Sequence, residues 1–465
     1  MAVFPAFNKS DILADLKAAT PHAEVHVDDE VALKFSANGR AQDKIQGQIL
    51  AYVAVGDVAD IQGVLRVARQ YHIPVIPQSA DTSTVIGADG IDGSIILSTV
   101  RMNKIKEISK GDFLAVVQPG VINGDLDKAA REQGMFYAPD PGSKPISSIG
   151  GNVATNAGGM SSVKYGVTKD SILGLKVVLA DGREIKVGGR TLKQAFGYDL
   201  TQLFVGSEGT LGIVSEIIVK LYPIPVGNAV TGVAFFPDMA ALASTVQDLR
   251  LSGIYPVMLE ALDGKTVQAL DEYEGTHYAK SATASMLIFK LDAGGEASLA
   301  IAEKILKDHQ AENVSVTADP TEAAQLMKLR QDMLPAVFAH GNHIMEDMAV
   351  PLSKLPEMMN YVQEVAQKLD VDIYTAGHAG DGNVHPSLLW PKDQAEPPAK
   401  IIEATRLMFH KALALGGTIS GEHAVGMSKN QWTNVELGFD VDSIQHQIKN
   451  LFDPLGILNP KRKIN

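Results

Sequence analysis

At 465 residues the chain exceeds the size at which one hydrophobic core keeps growing, so two domains are expected, and 45% hydrophobic with 20% charged residues is ordinary for a globular protein. A net charge of −13 with no basic run argues against nucleic acid as a partner, because phosphate binding needs clustered Lys and Arg. The absence of cysteine removes disulfides, thiolate-bound zinc, iron–sulfur clusters and thiol nucleophiles, which leaves redox chemistry to an organic cofactor or a metal on nitrogen and oxygen ligands.

The opening stretch MAVFPAFNKSDILADLK lacks the basic-then-apolar layout of a secretory signal. No run approaches the roughly 18 apolar residues of a membrane span. A cytoplasmic protein without a transmembrane segment is expected. AYVAVGD (51–57) reads as a buried strand, Asp57 as an N-cap, and Val58, Ile61, Leu65 and Ala68 recur at helical spacing up to His72. PVIP (74–77) reads as a second strand, and the unit suggests a parallel pair with a ligand loop at the end of that strand. Residues 126–133 read as a short helix stopped at Gly134. Residues 171–189 read as a hairpin turning at Asp181-Gly182, and GIVSEIIVKLYPIP (212–225) as a strand closed by prolines. Beyond it, helices near 297–309, 355–369, 398–415 and 442–452 alternate with short strands such as 228–236 and 285–292, a ferredoxin-like pattern.

Two glycine-rich stretches interrupt these elements. PDPGSKPISSIGGNVATNAGGMSSVKYG (139–166) combines Gly142, Gly150, Gly151, Gly158, Gly159 and Gly166 with Asn152, Thr155 and Asn156. Glycine lets backbone amides approach a ligand, and Asn and Thr add donors, so such a segment can bind a diphosphate without Lys. A turn-rich loop with no ligand accounts for the spacing equally well. GSEGTLGIV (206–214) has the same character, and neither stretch fits the GxGxxG or GxxxxGK[ST] fingerprints.

Further on, GHAGDGNVH (377–385) places His378 and His385 seven residues apart around a Gly-Asp-Gly turn, and a hairpin there would let both imidazoles converge. GTISGEHAVG (417–426) adds Glu422 and His423. Two His and one carboxylate with an open fourth position form the donor set of a catalytic divalent metal, although a His pair alone is more often structural.

Taken together, these stretches and the closing FDPLGILNPKRKI (452–464) resemble the FAD-linked oxidase family of the vanillyl-alcohol oxidase and p-cresol methylhydroxylase type. The resemblance is greatest to its glycolate oxidase subunit and D-lactate dehydrogenase branch. It implies an α+β fold with a two-subdomain FAD-binding domain over 1–225. A ferredoxin-like cap domain over 226–465 follows, and its C-terminal helical segment returns to the FAD domain. The residues implied to contact FAD are Pro77, Ser79, Ala80, Asp81, Thr82, Ser83, Pro141, Gly142, Gly150, Gly151, Asn152, Thr155, Asn156, Gly158, Gly159, Tyr165, Gly166, Glu208, Gly209, Ile213, Val214, Asn383 and Asn459. One loop departs from the pattern. PQSADTS (77–83) stands where the family has a Pro-Arg-Gly-Gly-Gly-Thr type loop, so Gln78 replaces Arg and Asp81 lies near the expected diphosphate.

In that branch the metal ligands would be His378, His385 and Glu422, holding Zn²⁺ or an ion of the Mn²⁺/Fe²⁺ class, with His423 as the base. The metal would acidify the substrate hydroxyl, and an imidazole titrating near ~6.5 would accept its proton while the C2 hydride goes to FAD. Arg330 would hold the substrate carboxylate. Relatives acting on D-2-hydroxyglutarate carry Lys where Met345 stands, Asn at Ser387 and Thr near Leu334, so a monocarboxylate such as D-lactate is implied, then glycolate or a larger D-2-hydroxy acid. The electron acceptor is open among a quinone, an electron-transferring flavoprotein, a cytochrome and oxygen. A homodimer and a peripheral membrane location are both compatible with the resemblance. Rival readings are an electron-transfer subunit of a larger complex, a flavin-free metal hydrolase, and the non-redox alkyl-dihydroxyacetone-phosphate synthases, whose active-site His run is missing from this chain.

Overall fold

The computed structural model describes residues 8–27, 48–279, 284–292 and 295–464, and these fall into two compact units. The first comprises the described residues up to Gly158, Val167–Ile224 and the stretch from Glu422 onward. The second comprises Gly159–Gly166 and Pro225–Gly421. Both mix helix and strand, giving the α+β class.

In the first unit, Asp57 caps the helix Val58–Tyr71 by accepting from the Asp60 N–H, and His72 ends it in the left-handed conformation at φ 54°. The helix buries Ile61, Val64, Leu65 and Ala68 against the strands, with Leu16 of the helix Lys9–Ala19 in the same core. Strands Ala51–Ala54 and Val75–Gln78 are parallel but do not pair with each other, contrary to the sequence expectation. Ile95–Ser98 lies between them, parallel to both. The run SIILS is buried on both faces, which suits a central strand. Among the described residues Glu24–His26 completes this four-stranded sheet.

A five-stranded antiparallel sheet forms the other subdomain, in the order Ile105–Ser109, Leu114–Val117, Ile213–Lys220, Ile172–Val178, Glu184–Gly188. Its last two strands are the hairpin read at 171–189, and Gly182 takes the positive φ that the turn requires. The chain's closing segment joins this unit. Asp453 accepts from the backbone N–H of Ile457 and Leu458, while buried Lys449 donates to Asp453, the Thr210 carbonyl and the Leu458 carbonyl. That clamp sets Leu458 beside Val75 and lets the Asn459 N–H donate to the Val75 carbonyl.

The second unit is built on an eight-stranded antiparallel sheet, counted among the described residues. Its order is Glu312–Thr317, Val230–Phe236, Ser285–Leu291, Met258–Leu262, Asp372–His378, Asn383–Trp390, Asn342–Met345, with Met348–Ala349 also paired to Asn383–Trp390. Helix Pro320–Phe338 lies on one face, where Leu329, Met333 and Ala336 meet Leu262, Ile288 and Ala376. Its N-cap Asp319 accepts from the Thr321 and Glu322 N–H groups, and Pro320 follows at the first turn, where a missing N–H costs nothing.

Candidate active site

The glycine-rich segment of the first unit contains a short helix, Ile149–Thr155, entered through Ser148. The Ser148 hydroxyl accepts from the Gly151 N–H at 3.2 Å and donates to Ser79 Oγ at 2.7 Å, and the Ala80 N–H approaches it at 3.4 Å. The departing loop is therefore tied to the cradle by a serine that neither motif signalled. Asp81 sits at φ 53°, a conformation that glycine adopts freely and Asp tolerates better than most residues. Gln78 is buried and donates to the Ala88 carbonyl, so the position where the family has Arg fastens the loop to its own far end. Gly209, at φ 70°, lies under Pro77, whose Cγ would be 2.8 Å from an added Cβ. The second glycine motif thus meets the same loop from below.

Within the cradle the expected donors divide. Thr155 donates to the Gly151 carbonyl, and the Asn156 side chain accepts from the Lys169 N–H. Asn152 is 3% exposed, and its side-chain NH₂ has no hydrogen-bond partner among the described residues. A buried amide donor without an acceptor is costly unless a ligand supplies one, and this makes the cradle a fit for FAD. Ile213 and Val214, the last residues of the second glycine motif, open the strand Ile213–Lys220, with Ile213 in the core. Pro141 is buried at the cradle's entrance and Gly142 exposed, while Ser83 Oγ lies 3.5 Å from the Val85 N–H after Thr82. Gly159, Tyr165 and Gly166 belong to the second unit, where the Tyr165 hydroxyl and Lys164 both donate to Asp292.

The second unit places its chemistry on one sheet face. The hairpin read at 377–385 forms from Asp372–His378 and Asn383–Trp390, with Gly382 at φ 82° in the turn. Side chains two apart on a strand share a face, as do directly paired residues. Glu260 pairs with His378, His385 with Ala376, Ser387 with Tyr374 and Met345, so His378, His385, Ser387, Met345 and Glu260 all point one way. The two imidazoles are buried, with ring centroids 5.3 Å apart.

Each imidazole has a carboxylate near its Nδ1. His378 Nδ1 donates to Glu260 Oε1 at 2.5 Å, and His385 Nδ1 lies 3.8 Å from Asp347 Oδ1. His378, held through Nδ1, presents Nε2 as its ligand atom, the usual arrangement around a bound metal. Arg330, on the helix over this face, donates through Nε to Glu260 Oε2 at 2.6 Å. Burial opposes ionisation of Glu260, but the charges and hydrogen bonds of His378 and Arg330 outweigh it and hold the carboxyl at about 2. The Asn383 side-chain NH₂ donates to Asp347 Oδ1 and the Met348 carbonyl, and Ser420 also donates to Asp347.

Gly421 is the last residue of the second unit, and Glu422 and His423 begin the returning stretch of the first. There His423 Nε2 lies 3.7 Å from Glu422 Oε1. Glu208, at φ 55°, accepts from the Val425 and Gly426 N–H groups with its two carboxylate oxygens and so pins the loop carrying both residues. The Asn459 side chain donates to the Gly87 and Glu208 carbonyls. Gly158 makes room for Glu422, because an added Cβ would stand 2.4 Å from Glu422 Oε2. Sequence reading missed Glu260 and Asp347. Their only signal is an acid inside an apolar strand, MLEAL, and an acid between methionines, MEDM.

The chain matches the FAD binding domain over residues 49–188 and the family described as FAD linked oxidases, C-terminal domain, over residues 227–462. The glycolate oxidase subunit GlcD of Bacillus subtilis (strain 168) is 37% identical over 439 residues, covering 93% of either chain. The D-lactate dehydrogenase of Anaerostipes hadrus is 32% identical over 449 residues, covering 94% of either chain. The solved structure of p-cresol methylhydroxylase with substrate bound superposes with a TM-score of 0.81 at 18% identity, over 98% of this chain and 97% of that one, which shows the shared fold. With two domain matches in tandem and relatives aligned along nearly their whole length, the chain belongs to the FAD-linked oxidase family, in the branch of glycolate oxidase subunits and D-lactate dehydrogenases.

Proposed function

We propose that this FAD-linked oxidoreductase oxidises a small D-2-hydroxy acid, D-lactate to pyruvate first, at a divalent metal held by His378, His385 and Glu422. The observation that carries the metal is the pair of buried imidazoles on one sheet face, each with a carboxylate near Nδ1. Nitrogen and oxygen donors of this kind suit Zn²⁺ or the Mn²⁺/Fe²⁺ class. When bound, FAD supplies two-electron acceptance and the metal supplies Lewis acidity.

The chain's own residues do the rest. His423 takes the hydroxyl proton on a ring nitrogen, and the Arg330 guanidinium binds the substrate carboxylate. Met345 and Ser387 lie directly opposite each other across the strand pair, so the same patch of the face lacks a charge for a second carboxylate. That supports a monocarboxylate. The name of the Bacillus relative favours glycolate as a second reading.

Anaerobic titration of the purified protein with D-lactate, L-lactate, glycolate and D-2-hydroxyglutarate separates these readings. D-Lactate is expected to bleach the visible flavin band at the lowest concentration, with L-lactate and D-2-hydroxyglutarate inert. If none of the four reduces the flavin, the reading fails. Gly158→Ala provides a test of Glu422: the crowded carboxylate must move, so affinity for Mn²⁺ is expected to fall roughly tenfold. Calorimetric titration of the chelator-treated variant with Mn²⁺ checks this.

A further inference from the structure

Glu260 stands in a strand, Met258–Leu262, whose other side chains are apolar and buried, and it is itself 1% exposed. A carboxylate in such a place is costly unless both oxygens are compensated. Here they are divided between two partners on different elements. Oε1 accepts from His378 at the end of Asp372–His378, and Oε2 accepts from Arg330 on the helix Pro320–Phe338. An ionised carboxylate only accepts, so His378 must carry its proton on Nδ1, which fixes the tautomer and turns Nε2 outward as a ligand. The same carboxylate commits Arg330 through Nε, so an incoming anion would meet the two Nη groups.

We propose that Glu260 is a positioning residue that orients His378 for the metal and Arg330 for the substrate carboxylate at once. This rests on the assignment of those two residues under the proposed function. A purely structural ion pair would have no such consequence, because buried pairs can be replaced by neutral groups of similar volume with little harm.

The test uses FAD-loaded, chelator-treated full-length protein titrated with Mn²⁺ and with Zn²⁺ alone, followed by steady-state kinetics with D-lactate. Glu260→Gln is expected to weaken binding of both ions by about 10- to 100-fold, the range seen when a carboxylate behind a metal-bound histidine is removed. KM for D-lactate should rise about tenfold, with a smaller change in kcat at saturating metal, because a charge-assisted contact to Arg330 is lost. Glu260→Asp, which keeps the charge, should recover part of both. If Glu260→Gln does not fold, Glu260→Gln with Arg330→Met leaves no uncompensated buried charge, and metal affinity must still fall. A folded variant with full flavin content and wild-type affinity for Mn²⁺ and Zn²⁺ overturns the proposal. Should the wild type take up neither ion, the metal assignment fails by itself. Glu260 is then judged on KM, and an unchanged KM in Glu260→Gln overturns its role.

Discussion

Replacing His423 with Asn is expected to lower kcat for D-lactate by about a hundred- to ten-thousandfold, the usual yield of a positioned general base. Asparagine keeps a polar group of similar length but cannot take the hydroxyl proton. The loop itself should persist, because Glu208 holds it through the Val425 and Gly426 backbone rather than through the histidine side chain. Flavin content and Mn²⁺ affinity are therefore expected to stay close to wild type, which separates loss of the base from loss of the site. Single-turnover flavin reduction under anaerobic conditions reads the effect. A rate within about threefold of wild type would remove His423 from its role.

Stripping the metal is expected to have the second-largest effect. A chelator strong enough to compete with two imidazoles and a carboxylate should slow D-lactate-dependent flavin reduction by at least about a hundredfold, since metal Lewis acidity contributes several kcal/mol. The flavin should remain bound, because the cradle donors at Asn152 and the Ser148–Ser79 link involve no metal-ligand candidate. Returning Zn²⁺ or Mn²⁺ should restore the rate. Glu422→Gln should reproduce the stripped enzyme without any chelator. Full activity in metal-free protein would show that His378 and His385 serve the fold alone.

Much of this arrangement is legible in the sequence, and the limits have physical causes. Periodicity and capping marked the helix after Asp57 and the hairpin around Asp181-Gly182, because both are local. The Gly-Asp-Gly turn forecast the converging histidines for the same reason. What escaped depends on distant pairing. Ile95–Ser98 enters between two strands that the local pattern had placed side by side. Glu260 is 118 residues from His378 and 70 from Arg330, so only the assembled sheet makes it more than a stray acid. Tyr165 looked continuous with the cradle, yet its hydroxyl is taken by Asp292 in the second unit. A glycine-rich run carries no mark of where one compact body yields to another.

The division of the first unit along the chain bears on its biosynthesis. Asn459 closes hydrogen bonds to Gly87, 372 residues away, and to the Glu208 carbonyl, 251 residues away. The loop bearing Glu422 and His423 is itself pinned by Glu208. These contacts need residues on both sides of Pro225–Gly421 in the chain, so the first unit is completed only after that segment has been made. Closing the first unit therefore carries the entropic cost of a very long loop, which grows only slowly with loop length.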